Sequence, residues 1–318
     1  MQKRKLGKSG LTVAPLAFGC NVFGWTADES TAFKLLDAFV DAGLNLLDTA
    51  DVYPVWHPGN VGGESEAIIG NWLKKSDKRD KVVVATKVGM KMAPSLGTES
   101  LSREYIFSSV ESSLKRLQIE TIDLYQAHTD CPVTPLEETL EAFTDLIKQG
   151  KVRSIGASNY TGDRLKAALA VSSANGLARY ETMQPEYNLY ERENYENNLE
   201  PICVAEGLGV LSYFSLARGF LSGKYRSEAD LNQSPRGAGV KKYLNERGFR
   251  IVDALHKVAG ELQSTPARVA IAWLIARPSI TAPIASATTL AQLEDLVEAA
   301  KLTLDSSAMA ILDQASAQ

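Results

Sequence analysis

From one end of the chain to the other, short apolar runs alternate with longer amphipathic stretches, and few folds accept that rhythm. A hairpin turning at Lys8-Ser9-Gly10 opens the series, and strand-like runs follow at 12–19, 44–48, 81–87, 122–128, 152–158, 181–185, 208–215 and 280–287. Helical periodicity occupies 30–42, 64–75, 102–117, 136–149, 161–171, 196–206, 248–263, 265–276, 290–300 and 306–315. Gly43 and Gly150 stand where a helix stops on a left-handed residue. Ser102 reads as an N-cap, and Pro266 falls where a first-turn proline is tolerated. Strands separated by helices pair in parallel through right-handed crossovers. Eight such units, with no composition break between them, predict one domain spanning 1–318. The expected fold is α/β, a (β/α)8 TIM barrel with an N-terminal β-hairpin. No GxGxxG follows the first strand, which counts against a Rossmann sheet. The one long irregular connection, 216–247, is rich in Gly, Ser and charge and reads as a lid or binding loop.

Composition narrows the partners. A formal net charge of −4 gives no broad basic surface, so no nucleic acid is expected. No run of about 18 apolar residues is present, so no membrane partner is expected. The first residues lack the apolar stretch and cleavage site of a signal peptide, which predicts a cytoplasmic protein. Cys20, Cys131 and Cys203 are far apart and read as three reduced thiols in or near the core. His57, His128 and His256 show no metal-ligand spacing either, so no metal site is expected.

Function in such a barrel sits at the C-terminal ends of the strands. The second strand runs out into Asp48-Thr49-Ala50-Asp51-Val52-Tyr53, the third ends in Thr86-Lys87-Val88 and the fourth in Gln126-Ala127-His128. Taken singly, each ionisable residue has a plainer reading. Lys87 is then a solvated strand end, Asp48 a turn cap, Tyr53 a half-buried loop aromatic and His128 a satisfied core histidine. Together they suit proton delivery to a carbonyl oxygen. A tyrosine is a weak acid, with a free pKa of about 10. An adjacent ammonium is expected to lower it toward working pH, and a carboxylate paired with that ammonium holds it in place. A histidine beside them donates the hydrogen bond that orients the carbonyl.

The blocks LLDTADVY (46–53), ATKVG (85–89), IDLYQAH (122–128), SIGASN (154–159), QPEYN (184–188) and LARGFLSGKY (216–225) resemble the signature of the aldo-keto reductase superfamily. The likeness runs from Lys5 to the C-terminus, closest to the bacterial branch related to potassium-channel β subunits. It implies that Tyr53 is the general acid/base, that Lys87 and Asp48 tune it, and that His128 positions the carbonyl. It further implies NADP(H) held by a (β/α)8 barrel, with the long loop closing over the cofactor. Ser158, Asn159 and Gln184 match the residues for the nicotinamide carboxamide, a group that needs both donors and acceptors. Tyr213 matches the aromatic that stacks on the ring. Gly19, Cys20 and Asn21 after the first strand are also assigned to the cofactor, as is Ser215. Leu216, Arg218, Gly223, Lys224 and Arg236 fall in the segment over the pyrophosphate, and Ser286, Ala287, Thr288, Gln292 and Asp295 match the adenosine end.

Two departures from the family pattern matter. The block after the stacking aromatic commonly reads Ser-Pro and is Phe214-Ser215 here. Many NADP-preferring members carry a basic residue where this chain has Thr288, so Lys224 or Arg236 would supply the charge for a 2′-phosphate. NADP(H) is the favoured cofactor, with NAD(H) still open. The pocket wall is expected from Asn21, Val22, Phe23, Trp25, Val55, Trp56, His57, Met90 and Met92. Trp56 joins Tyr53 and His128 as a substrate contact. These residues suit a small-molecule aldehyde, ketone or secondary alcohol with an apolar body. A cofactor-keeping sensor of the channel-β type is the alternative, although no extra N-terminal segment for gating or tethering is expected. A phosphate-binding isomerase on the same barrel leaves the Tyr53–Lys87 pairing without a role.

Overall fold

The structure, a computed structural model, describes residues 1–90, 92 and 100–317. Its strands are β1 (Arg4–Lys5), β2 (Thr12–Val13), β3 (Ala17–Gly19), β4 (Leu46–Asp48), β5 (Val83–Val88), β6 (Ile122–Ala127), β7 (Val152–Ser158), β8 (Tyr180–Gln184), β9 (Gly209–Val210) and β10 (Ile284–Ala285). Its helices are α1 (Glu29–Asp41), α2 (Glu64–Ser76), α3 (Arg103–Leu117), α4 (Leu136–Lys148), α5 (Gly162–Asn175), α6 (Glu200–Glu206), α7 (Glu246–Glu261), α8 (Pro266–Ala276), α9 (Leu290–Ala299) and α10 (Ser306–Ser316). β3 to β10 form one parallel sheet in the order β10-β3-β4-β5-β6-β7-β8-β9. Beyond the short β9 and β10 ladders, the Ile284 N–H donates to the Ser212 carbonyl at 2.8 Å and the Ala282 N–H to Val210 at 3.2 Å. Those bonds join the two edges of the eight-stranded sheet and close the (β/α)8 barrel.

Local chemistry explains the element boundaries. Ser102, Thr161 and Thr265 each turn a side-chain oxygen to a backbone N–H of the first turn that follows, as N-caps do. Asp28 does the same for α1 through the Thr31 N–H. The run 12–19, expected as a single strand, divides in two. Thr12–Val13 pairs back on Arg4–Lys5, whereas Ala17–Gly19 is the first barrel strand. Pro15 lies between them and has no N–H to donate to a ladder. The connection 216–247 is not structureless, because Ala217–Ser222, Glu228–Gln233 and Gly237–Tyr243 are 3₁₀ turns.

The hairpin β1–β2 stops the N-terminal end of the barrel. Leu6, Leu11 and Val13 pack there against Ala17, Leu46, Val83, Leu124 and Ala282. Gly7, at φ 58°, lies against the backbone of Glu181 and Gly209, where any Cβ would overlap the Glu181 carbonyl. With one end filled by aliphatic side chains, polar groups are free to gather at the other.

A second close approach sets the helices beside the site. At Gly70 in α2, a Cβ would overlap the Arg116 carbonyl oxygen and lie 2.7 Å from the Leu117 carbonyl carbon. Both atoms are backbone, so α2 and α3 would have to separate. Gly70→Ala should therefore destabilise the fold by about 1–3 kcal/mol, despite the better helix propensity of alanine. A denaturant melt showing unchanged or higher stability would contradict the close approach.

Candidate active site

Parallel register carries the strand-end residues to one mouth. Asp48 pairs with Gly19 on one side and Ala85 on the other, Lys87 lies beside Gln126, and Ser158 beside Gln184. The Lys87 side chain is fully buried, and its ammonium meets an acceptor in three directions. Nζ donates to Asp48 Oδ2 at 2.7 Å, to the Thr49 carbonyl at 2.8 Å and to Tyr53 Oη at 3.3 Å. Three N–H donors and three acceptors leave the charge desolvated but satisfied. The other Asp48 oxygen accepts from Gln184 Nε2 at 2.9 Å. His128 stands edge-on to Tyr53, with ring centres 5.6 Å apart. The four residues named from the sequence therefore meet around a single point.

Burial then sets their protonation states. It pushes the Tyr53 hydroxyl above the ordinary tyrosine value, outweighing the pull of the Lys87 ammonium toward phenolate. This reverses the expected lowering. An ammonium in reach favours phenolate, but the water lost around Tyr53 disfavours it more. Burial and the nearby Lys87 charge both hold His128 well below the usual imidazole range, so its ring is neutral. Lys87 is held above its ordinary value by the Asp48 carboxylate and Tyr53, although burial opposes them. The site thus presents a protonated phenol, a neutral imidazole and a permanent ammonium.

The mouth opens into a cavity of about 730 Å³. Asp48, Tyr53 and His128 line it together with Ser158, Asn159, Gln184 and Tyr213. Asn159 adopts a left-handed φ of 56°, which turns its amide back across the site. Nδ2 donates to the His128 carbonyl at 2.8 Å, and Oδ1 accepts from the Tyr213 hydroxyl at 2.8 Å. Further out lie Arg218 and Arg236, neither of them in an ion pair with a carboxylate among the described residues. Burial and the like charge of Arg218 lower the Arg236 guanidinium below its usual value.

A buried phenol, a polar end lined by Ser158, Asn159 and Gln184, and two guanidiniums share one cleft. The aldo/keto reductase family model matches residues 15–317. The chain belongs to the aldo/keto reductase family. YrpG, an uncharacterized oxidoreductase of Bacillus subtilis strain 168, is 36% identical over 98% of this chain and 95% of its own. A probable voltage-gated potassium channel subunit beta of Arabidopsis thaliana is 32% identical over 94% of this chain and 91% of its own. The NADP(+) aldo-keto reductase yakc of Schizosaccharomyces pombe is 30% identical over 95% of this chain and 87% of its own. This aldo/keto reductase is thus an oxidoreductase of a family that uses nicotinamide cofactors and small-molecule substrates.

Most residues assigned to the cofactor do line the cleft of this reductase. They include Gly19, Asn21, Ser215, Leu216, Lys224, Ser286, Thr288, Gln292 and Asp295. Three of the assigned residues do not line the cleft. Cys20 is buried, with its sulfur toward the Phe18 carbonyl at 3.5 Å. Ala287 packs into the core. Gly223 ends a 3₁₀ turn at φ 81° with its back against the His256 ring. Of the expected pocket wall, Asn21, Val22, Trp56 and Met90 line the cleft. Phe23 instead stacks on Phe18 in the core, and Val55, His57 and Met92 do not line it. Trp25 stands one layer back, edge-on to Trp56 at 5.7 Å and beneath the Arg236 guanidinium at 5.5 Å.

Other contacts escaped the sequence reading. Phe214 lines the cleft and carries the Arg218 guanidinium 4.2 Å above its ring. At the far end, Asp295 is held by Arg268, with Nε 2.8 Å and Nη2 2.6 Å from Oδ1. Arg268 sits on α8, far in sequence from the Thr288 segment, so only the packing of α8 on α9 reveals it. Removing the central ammonium tests the interior. Lys87→Met strands a buried carboxylate and should cost about 3–5 kcal/mol, read from denaturant unfolding. A loss below about 1 kcal/mol would show that the ion pair does not hold the barrel mouth.

Proposed function

We propose that this protein is an NADP(H)-dependent carbonyl reductase, converting aldehydes or ketones to alcohols and the reverse, with Tyr53 as its general acid/base. The observation that carries the reading is the Lys87 ammonium, bonded at once to the Asp48 carboxylate and the Tyr53 hydroxyl in a desolvated pocket. The cleft residues fit a nicotinamide dinucleotide. Gln184 Oε1, Asn159 and Ser158 supply the acceptors and donors for a carboxamide beside Tyr53, and Tyr213 offers a ring face. When bound, the reduced cofactor supplies the hydride to the carbonyl carbon.

The chain's own residues manage the proton. The Tyr53 hydroxyl gives its proton to the carbonyl oxygen as negative charge develops there, and the Lys87 ammonium stabilises the phenolate left behind. Neutral His128 keeps one ring N–H through the neutral range, and that N–H donates the hydrogen bond that orients the carbonyl. Asp48 keeps Lys87 charged and in place. Trp56 and Met90 give the substrate an apolar wall.

Arg218 and Arg236 suit the pyrophosphate, since two unpaired guanidiniums answer a doubly charged anion. Arg236 is placed toward the reacting end, where Nη2 is 3.4 Å from Asn21 Oδ1. Arg268 stands at the Thr288–Asp295 end and is the better candidate for a 2′-phosphate. The NADP(+) designation of yakc supports the same cofactor.

Tyr53→Phe should lower kcat by about 10²- to 10⁴-fold with NADPH affinity near wild type, measured by steady-state turnover and fluorescence titration. Unchanged turnover in that variant would end the assignment. The reductive kcat should stay level through neutral pH and fall only in the alkaline range, because the buried phenol keeps its proton there. For cofactor choice, Arg268→Gln should weaken NADPH at least tenfold more than NADH, whereas Arg236→Gln should weaken both alike. The reverse pattern would assign the 2′-phosphate to Arg236. Similarity to a channel β subunit supports a second reading, a cofactor sensor. Tight NADPH binding without turnover across a panel of aldehydes and ketones would favour it.

A further inference from the structure

Two residues before Tyr53 lies a carboxyl for which the proton-transfer site has no use. Asp51 is completely buried, and neither carboxyl oxygen has a hydrogen-bond partner among the described residues. The adjacent Val52 N–H favours the charged form of this carboxyl, but burial outweighs it. Glu66, on α2, is its acidic neighbour and is equally buried. The nearby cation on that side, Arg116 on α3, is already committed. Its Nε and Nη2 both bond Glu66 Oε2 at 2.7 Å, while Thr86 Oγ1 on β5 donates to Glu66 Oε1 at 2.5 Å. Tyr105 on α3 and Tyr125 on β6 also face the pocket, and the Tyr125 hydroxyl is unpartnered. Lys87 on β5 acts from further off, its ammonium already bonded to Asp48. Two buried carboxyls therefore share one bonded guanidinium.

The backbone around this pocket carries the reacting groups. The Asp51 N–H donates to the Lys87 carbonyl at 3.2 Å. The Tyr53 carbonyl accepts from the Gly63 and Ser65 N–H groups at the start of α2, each at 3.2 Å. Arg116 lies directly over Gly63, where a Cβ would overlap its side chain. The loop bearing Tyr53, the strand bearing Lys87 and the helix bearing Glu66 thus meet around Asp51. A second full negative charge there would repel Glu66 and push loop and helix apart.

We propose that Asp51 is a positioning residue, carried as the uncharged acid, whose neutrality and bulk hold the Tyr53 loop against the Glu66–Arg116 pair and so set the Tyr53–Lys87 separation. Burial, reinforced by the charge of Glu66, accordingly keeps this carboxyl protonated well above the usual carboxylate range. The sign of the linkage follows. An unfolded chain releases this proton near pH 4, whereas the folded chain keeps it. The group's contribution is therefore most favourable below that pH and declines as pH rises toward the folded value.

The inference rests on Tyr53 as proton donor for its kinetic arm only, because the melting arm needs no turnover. Asp51→Asn mimics the neutral acid. The melting temperature of the variant relative to wild type should rise by about 4 °C or more between pH 4.5 and pH 8. Its kcat at pH 7 should stay within about threefold of wild type. Asp51→Ala keeps neutrality but removes bulk, and should lose at least tenfold in kcat while NADPH affinity holds. A pH-independent difference in melting temperature would overturn the inference. So would a folded Asn variant that loses as much kcat as the Ala variant, an Ala variant with full kcat, or an Asn variant that does not fold. If Tyr53→Phe proved fully active while the pH-dependent gap persisted, the Tyr53 assignment would fail and the neutral acid would stand.

Discussion

The buried ammonium of Lys87 is the constraint around which the barrel mouth is arranged. A lysine removed from water is tolerated when each of its N–H groups finds an acceptor, and here those acceptors are a carboxylate, a backbone carbonyl and a phenol. Each acceptor is fixed in turn. Asp48 is held by Gln184 across the barrel, Thr49 by its ladder bond to Ala85, and Tyr53 by the start of α2. The ion pair therefore dictates a geometry. Its bonds reach from β4 through β5 to Gln184 on β8. The same desolvation keeps the phenol protonated and the imidazole neutral, so charge placement and acid strength have a common origin.

The two ends of the barrel divide the work. Aliphatic side chains and the hairpin fill the N-terminal end, which gives the strands a rigid platform. At the other end the backbone departs from regular conformations beside the cleft. Asn159 takes a left-handed turn, and so does Arg218 at φ 60°. The first turns an amide between His128 and Tyr213; the second lays a guanidinium over Phe214. The 3₁₀ turns that follow bring Arg236 back over Trp25, which backs Trp56, which in turn touches Tyr53 at 5.6 Å. The loop over the cleft and the wall beside the acid are thus one packed aromatic assembly.

Strand and helix boundaries were legible to within a few residues wherever a cap or a β-branched run marked them. The segment 152–158 was read at its observed ends, as Val152–Ser158. Legibility failed where one apolar run served two roles. Ala14-Pro15-Leu16 interrupts the first run because a chain without an N–H cannot continue a ladder, yet its neighbours look alike in hydrophobicity. Within the site, motif spacing named the four residues that meet around Lys87, while Cys20, Gly223 and Ala287, also assigned to the cofactor, do not line the cleft. Cys20 and Gly223 lie in or at the end of 3₁₀ turns and Ala287 in the loop after β10, where no strand alternation separates cleft from core.

The sequence by itself determined the fold class, the mouth at which the strand-end ionisable residues gather, and the identity of the four groups there. Periodicity and strand-end position are local properties, and eight repetitions of them admit one closed arrangement. Only the tertiary structure decided how those groups behave. Whether Lys87 or lost water governs the Tyr53 proton depends on burial, a sum over every neighbouring element. The Arg268–Asp295 pair joins α8 to α9, and the Asp51–Glu66–Arg116 pocket joins a loop, α2 and α3. Such charge balances arise between residues distant in the chain, and no reading of spacing contains them.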